Sequence, residues 1–171
     1  NAASALPAGS ATLLANVTTA TTQMYNTALN VGANINLTGT QISTGGTVSG
    51  GGNFALTITG NAVLGNVSDT LDNITGLQAL TVTGTTLINT GVVTTRGGQT
   101  YTGNATLGNA TALSTTDNGT VLFSGTVNGT KNLTISTGSG NVTLTGAVGG
   151  TTRLGSLTLV STGATTFGSS V

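Results

Sequence analysis

Cysteine, histidine, tryptophan and glutamate are all missing from this chain, and proline occurs once, at Pro7. Without cysteine there is neither a disulfide framework nor a thiolate metal site. Without histidine and cysteine the usual general bases and the thiol nucleophile are gone. The only acids are Asp69, Asp72 and Asp117. A carboxylate-pair hydrolase holds an acid and a base across a cleft, and no second acid-bearing segment is visible. The expectation is a non-enzymatic protein with no catalytic residue, no cofactor and no bound metal. Charge is equally scarce: 4% of residues are charged and the net charge is zero, where a globular domain carries about a quarter. Arg96, Lys131 and Arg153 are the only cations, too few to neutralise a row of phosphates, so nucleic acid is not an expected partner. No apolar run approaches the roughly 20 residues of a membrane-spanning helix.

Asp69 and Asp72, in VSDTLDNIT, are close enough in sequence to share a calcium ion. Calcium-binding solenoids, however, repeat a glycine-rich nonapeptide with aspartate in every turn. Both residues are therefore expected in a solvated turn, and Asp117, in TTDNGT, likewise reads as a turn residue.

What is present is threonine, glycine, asparagine, serine, valine, leucine and alanine, with 36% of residues hydrophobic. A disordered chain combines low hydrophobicity with high net charge, and this one has neither. Threonine and valine favour a pleated, half-buried surface, whereas glycine and asparagine supply turns. The composition predicts an all-β chain, large enough for one body with a real core.

The chain also repeats itself. VTTATTQMY (Val17–Tyr25) returns as VTTRGGQTY (Val93–Tyr101), and the alignment runs on without a gap, pairing Val31 with Leu107 and Leu37 with Leu113. GTVSGGGNFALTITG (Gly46–Gly60) returns as GTVNGTKNLTISTG (Gly125–Gly138). Leu133 follows Leu56 at the same interval as Leu157 follows Leu80, which makes the module about 77 residues long. The organisation expected is a lead-in or cap over 1–16, a first module copy over 17–92 and a second over 93–171. Val171 corresponds to Val92, so the sequence given stops within a module, and it begins at Asn1 without a methionine, as if excised from something longer.

Short segments alternate strictly, as in INLTG (Ile35–Gly39), LTITG (Leu56–Gly60), LTVTG (Leu80–Gly84) and VTLTG (Val142–Gly146). Apolar residues fall on one face, threonine or asparagine on the other, and each segment is expected to end at its glycine. Equivalent LT segments are equally spaced in both copies, Leu56 to Leu80 and Leu133 to Leu157. A parallel β-helix, or β-solenoid, with coils of roughly 20–25 residues fits these spacings. The alternative is a β-sandwich, which wants large aromatic pairs between sheets, and only three Phe and two Tyr exist. Leu13–Leu29 has a partial helical pattern, but its threonine density and its alignment to a β-rich copy predict strand.

Tyr25 and Tyr101 hold matching module positions, and each is expected to pack at a coil corner with its hydroxyl in water. Phe54, Phe123 and Phe167 are expected to fill the interior. The T-x-T pairs Thr57/Thr59, Thr81/Thr83 and Thr143/Thr145 resemble the hydroxyl ranks of ice-binding solenoids. Module alignment sets Ser136 and Val160 against Thr59 and Thr83, which would interrupt such ranks. Asn-x-Thr/Ser sequons recur at Asn16, Asn36, Asn66, Asn73, Asn104, Asn109, Asn118, Asn128, Asn132 and Asn141. Alternation in an Asn- and Thr-rich strand writes that motif automatically. Glycosylated in a suitable source, these sites would carry a solubilising layer in place of charge.

The order VTT-x-x-x-Q-x-Y-x-G-x-x-x-LG, GTV-x-G, LT-[IV], VTLTGAVGG and a second LT strand resembles the repeats of filamentous-haemagglutinin-like adhesins, bacterial exoproteins exported by two-partner secretion or autotransport. The residues that carry the likeness are Val93–Gly108, Gly125–Thr134 and Val142–Gly163, with the earlier copy from Val17. The resemblance implies a right-handed parallel β-helix at a cell surface, acting as the stalk or fibre of an adhesin. The partners to be expected are neighbouring modules or copies of the chain itself, with cell-surface glycans or proteins as targets. A self-assembling subunit of an extracellular filament is the alternative, joined by end-to-end stacking or by strand donation from Asn1–Asn16. A glycan- or ice-binding solenoid is a third reading.

Overall fold

Apolar and hydroxyl-bearing residues alternate with period two in short segments, and each segment can bury only one or two side chains. Stacking such segments on their equivalents one coil away turns these small contributions into a continuous core. The computed structural model describes residues 9–67, 72–169 and 171. It is all-β, with every strand pair parallel and no helix among the described residues.

The first coil holds β1 (Ala11–Leu13), β2 (Val17–Thr18) and β3 (Thr22–Tyr25). The second holds β4 (Leu29–Val31) and the long β5 (Ile35–Thr44), the third β6 (Val48–Ser49) and β7 (Leu56–Leu64). The fourth holds β8 (Ile74–Leu77), β9 (Leu80–Val82) and β10 (Thr86–Ile88), the fifth β11 (Val92–Thr95), β12 (Gln99–Tyr101) and β13 (Ala105–Leu107). Next come β14 (Thr111–Thr115), β15 (Val121–Phe123) and β16 (Val127–Asn128), then β17 (Asn132–Gly138) and β18 (Val142–Leu144). An eighth coil begins with β19 (Ser156–Ser161) and β20 (Thr165–Phe167).

These strands form three faces. The first is the eight-stranded sheet β1-β4-β6-β8-β11-β14-β17-β19. The second stacks β2, the front of β5, the front of β7, β9, β12, β15, β18 and β20. The third stacks β3, the rear of β5, the rear of β7, β10, β13 and β16, and a bridge from Val127 to Val148 extends it. The fold is therefore a solenoid of about seven turns and not a sandwich.

Each face contributes an inward ladder. On the first face it runs Ala11, Leu29, Val48, Ile74, Val93, Leu113, Ile135, Leu159. Its rungs are unevenly spaced along the chain. The interval from Ala11 to Leu29 is the shortest and that from Val48 to Ile74 the longest, and both lie outside the coil of roughly 20–25 residues that the repeat spacing predicts. On the second face the ladder runs Val17, Leu37, Ile58, Val82, Tyr101, Phe123, Leu144, Phe167. Val82 and Phe123 have no exposed surface, and the Tyr101 and Phe123 rings stack at 4.6 Å with an 11° tilt. Phe123 is the interior filler expected and Phe54 packs partly buried against the core. Phe167 stands on the inward ladder but is 42% exposed, because no described coil lies beyond β20.

Glycine marks the corner between the second and third faces. A Cβ on Gly60 would collide with the carbonyl oxygen of Gly39, one on Gly84 with Gly60, and one on Gly103 with Gly84. Backbone packs directly on backbone there, and the column continues through Gly125 and Gly146. The strands do not all end at these glycines as expected: β5 and β7 run through Gly39 and Gly60, with a register shift between Thr38 and Gln41. Leu13–Leu29 is strand and turn, without helix. Of the lead-in, Ala11–Leu13 is already a solenoid strand paired with β4, while residues 1–8, with Pro7, lie outside the described residues.

The sequence repeat acquires an unexpected geometry. Val17 lies on the second face of the first coil and its equivalent Val93 on the first face of the fifth, eleven sides later. Leu56 (second face) to Leu133 (first face) is also eleven sides, as is Leu80 to Leu157. Eleven sides are three and two-thirds turns. The module is thus a repeat of sides, and its second copy is rotated by a third of a turn relative to the first.

Candidate functional surfaces

The two Q-x-Y motifs fold into internal clamps. Gln99 occupies a position between Leu80 and Val121 on the second face and has no exposed surface. Its Nε2 donates to the carbonyls of Val93 (3.2 Å) and Ser114 (2.9 Å) and to Thr95 Oγ1 (3.3 Å). Its Oε1 accepts the Tyr101 hydroxyl at 3.1 Å. Val93 and Ser114 belong to adjacent coils, so one amide ties two turns together from inside. Gln23 repeats the arrangement, with Nε2 donating to Val17 (3.1 Å) and Thr38 (2.8 Å) carbonyls and Oε1 accepting Tyr25 Oη at 2.8 Å. The tyrosine hydroxyls are therefore not in water, contrary to expectation. Burial pushes the ionisation of both phenols up from 10.0, Tyr101 the more strongly. The Q-x-Y spacing is legible in the sequence, but spacing alone does not give the glutamine its role. A signal for that role exists, since a glutamine at an inward position of an alternating strand needs a polar partner.

Corner asparagines link coils from outside. Asn104 Oδ1 accepts the Thr126 N–H (3.0 Å), Asn118 Oδ1 that of Ser139 (2.9 Å) and Asn141 Oδ1 that of Ala164 (2.9 Å), each one coil on. Asn118 reaches this position in a left-handed conformation, φ 58°. Several sequon asparagines thus have a backbone to hold as well as a strand pattern to obey.

Charge is sparse at the surface. Arg96 and Asp117 form a half-exposed pair at 2.8 Å, and Arg96 Nη1 also reaches the Gly52 carbonyl at 3.5 Å. Asp117 sits in its turn as expected. Asp72 is not solvated: it is 1% exposed, its Oδ2 accepts the Asn66 N–H and its Oδ1 has no partner among the described residues. Its carboxylate is folded onto the solenoid corner beside Gly65 and Thr90. Asp69 lies outside the described residues. Among the described residues no group of three ionisable ligands could hold a metal ion, and no helix is long and apolar enough to cross a membrane.

The outward ranks differ between faces. On the first face Thr94 and Ser114 bond one another at 2.9 Å, and Ser49 donates to Asn30 at 3.4 Å. The third face mixes Met24, Ser43, Val63, Leu87, Thr106 and Asn128. The second face presents Asn36, Thr57, Thr81, Thr100, Leu122, Thr143 and Thr166 in unbroken register. Ser136 and Val160, set against Thr59 and Thr83 by the module alignment, belong to the first face. They do not interrupt this rank. Past β18 the stack opens into a cavity of ≈ 320 Å³ lined by Val148, Arg153, Leu154, Leu157 and Val171 among others. Comparison with known protein families, with curated proteins and with solved structures finds no match for this chain.

Proposed function

We propose that this chain is a non-enzymatic structural segment of an extracellular surface protein, the stalk or fibre of an adhesin. The observation that carries the reading is the continuous inward ladder on the first and second faces over about seven turns. A stack of this kind transmits length and stiffness, and every coil is held by its two neighbours. The internal glutamine clamps and the glycine column fix successive coils in one register, which suits a spacer. A near-neutral hydroxyl surface is suited to standing between a cell and its target without attracting nucleic acid or lipid.

The outer edge of β19 and β20 favours one further reading. Leu157 and Leu159 are only partly buried and Phe167 is 42% exposed, along strands that have no described strand beyond them. A coil from the same chain or from a second copy would cover them, and the second case makes a self-assembling filament subunit. Electron microscopy of the purified chain separates the two. Seven steps of about 4.8 Å predict discrete rods roughly 34 Å long for a stalk segment. Long uniform filaments would overturn that reading in favour of self-assembly.

A further inference from the structure

We propose that the second face is a binding plane for ice. The proposal stands on the outward ranks of that face and does not rest on the stalk reading. The central rank is Asn36, Thr57, Thr81, Thr100, Leu122, Thr143 and Thr166, one residue per coil with no register shift. Two positions along each strand lies a second rank, Thr38, Thr59, Thr83, Thr102, Ser124 and Thr145, placed by the backbone bonds of Thr83, Thr102, Ser124 and Thr145 to the preceding coil. Coil spacing and strand rise set a grid of about 4.8 Å by 6.7 Å. Each threonine brings a methyl and a hydroxyl to that grid.

Three observations bear on this plane. The hydroxyls of Thr57, Thr81, Thr100, Thr102, Thr143, Thr145 and Thr166 make no hydrogen bond to any described residue, while those of Thr59 and Thr83 donate to Asn36 Oδ1 and to the Ile58 carbonyl. No charged or aromatic residue stands in either rank, since Tyr101, Phe123 and Phe167 are on the inward ladder of the same strands. Charges would hold liquid water, and a sugar plane would want an exposed ring to stack on. Third, module copies are rotated by a third of a turn, so duplication alone does not carry threonine along one face. The position equivalent to Thr100 in the first copy is Met24, on the third face. At this position the hydroxyl follows the face across the module boundary, whereas Thr57 and Thr81 also keep threonine in their first-face equivalents Thr134 and Thr158. An uncharged, methyl-and-hydroxyl lattice in which most of the donors are unspent fits an ordered layer of water.

The test is partition of the fluorescently labelled chain into a slowly growing ice front, together with inhibition of ice recrystallisation. The wild type should concentrate in the ice. Thr81→Tyr and Thr100→Tyr, which raise a ring out of the plane, should each reduce the partition ratio by about tenfold, a loss of about 1.4 kcal/mol. Thr75→Tyr, on the first face, should leave it unchanged, and Leu122→Thr, which fills the gap in the central rank, should raise it. Circular dichroism melts confirm that each variant is folded. Exclusion of the wild type from ice overturns the proposal, and so does an equal loss in Thr75→Tyr. Sedimentation with cellulose or chitin in the absence of ice partition would assign the plane to a polysaccharide instead.

Discussion

The clamp at Gln99 and Tyr101 gives the most searching test of the fold. Both side chains have no exposed surface, and a 3.1 Å bond joins Tyr101 Oη to Gln99 Oε1. Tyr101→Phe removes the donor and leaves the amide oxygen short of a partner, a loss of about 1–2 kcal/mol. Gln99→Leu strands the buried phenol and takes a donor from the Val93 and Ser114 carbonyls, a loss of about 3–5 kcal/mol. For a chain of this size that lowers Tm on the order of 10 °C. The double variant removes both ends of the bond, so it should be less damaged than the sum of the singles by about 1–2 kcal/mol. Urea unfolding followed by circular dichroism reads all four members of the cycle, with the m-value held constant as a control. Additivity within about 0.5 kcal/mol would refute the claim that the pair acts as a unit.

Other outcomes follow from the same geometry. Val82→Asp, which buries an unpaired charge between Ile58 and Tyr101, should cost more than about 4 kcal/mol, while outward Thr81→Ser should stay within about 0.5 kcal/mol; thermal melts separate them. Gly103→Ala drives a methyl into the Gly84 carbonyl and should unfold the neighbouring coils, seen as lost hydrogen-exchange protection over β9 to β15. The buried phenols ionise later in the folded state than in the unfolded one, so stability is complete below pH 10.0 and falls as pH rises above it. Tyr101→Phe should flatten that alkaline decline, as measured by melts across the range. Asp117→Asn should change stability by less than about 1 kcal/mol, and wild-type melting should be nearly independent of salt, because the Arg96–Asp117 pair is half-exposed.

Much of this fold was legible in period-two alternation. Leu56, Ile58, Leu80 and Val82 point inward and Thr57 and Thr81 outward, as their spacing required. Which residues meet across coils was not legible. Coil length changes along the chain, from the short step Ala11–Leu29 to the long step Val48–Ile74, and a fixed module period cannot follow it. The eleven-side step is why the alignment sets Thr59 against Ser136, a residue on another face, and why the continuity of the threonine rank emerges only in three dimensions. Asp72 escaped for a related reason: a turn residue is solvated only if its loop stands away from the corner, and this carboxylate is packed beside Gly65 and Thr90. Gln99 was hidden by its own polarity, which reads as surface until its partners on the preceding face are known.

The eleven-side step has a consequence for any polypeptide in which this module recurs. Three modules make thirty-three sides, which is eleven whole turns and about 53 Å of axis. A group encoded once per module would point in three directions in succession before returning to its starting azimuth. Such a fibre has no front or back: a neighbour approaching from any direction meets the same feature within one such interval, and the period between repeats, rather than the orientation of the shaft, governs how tightly fibres can pack side by side.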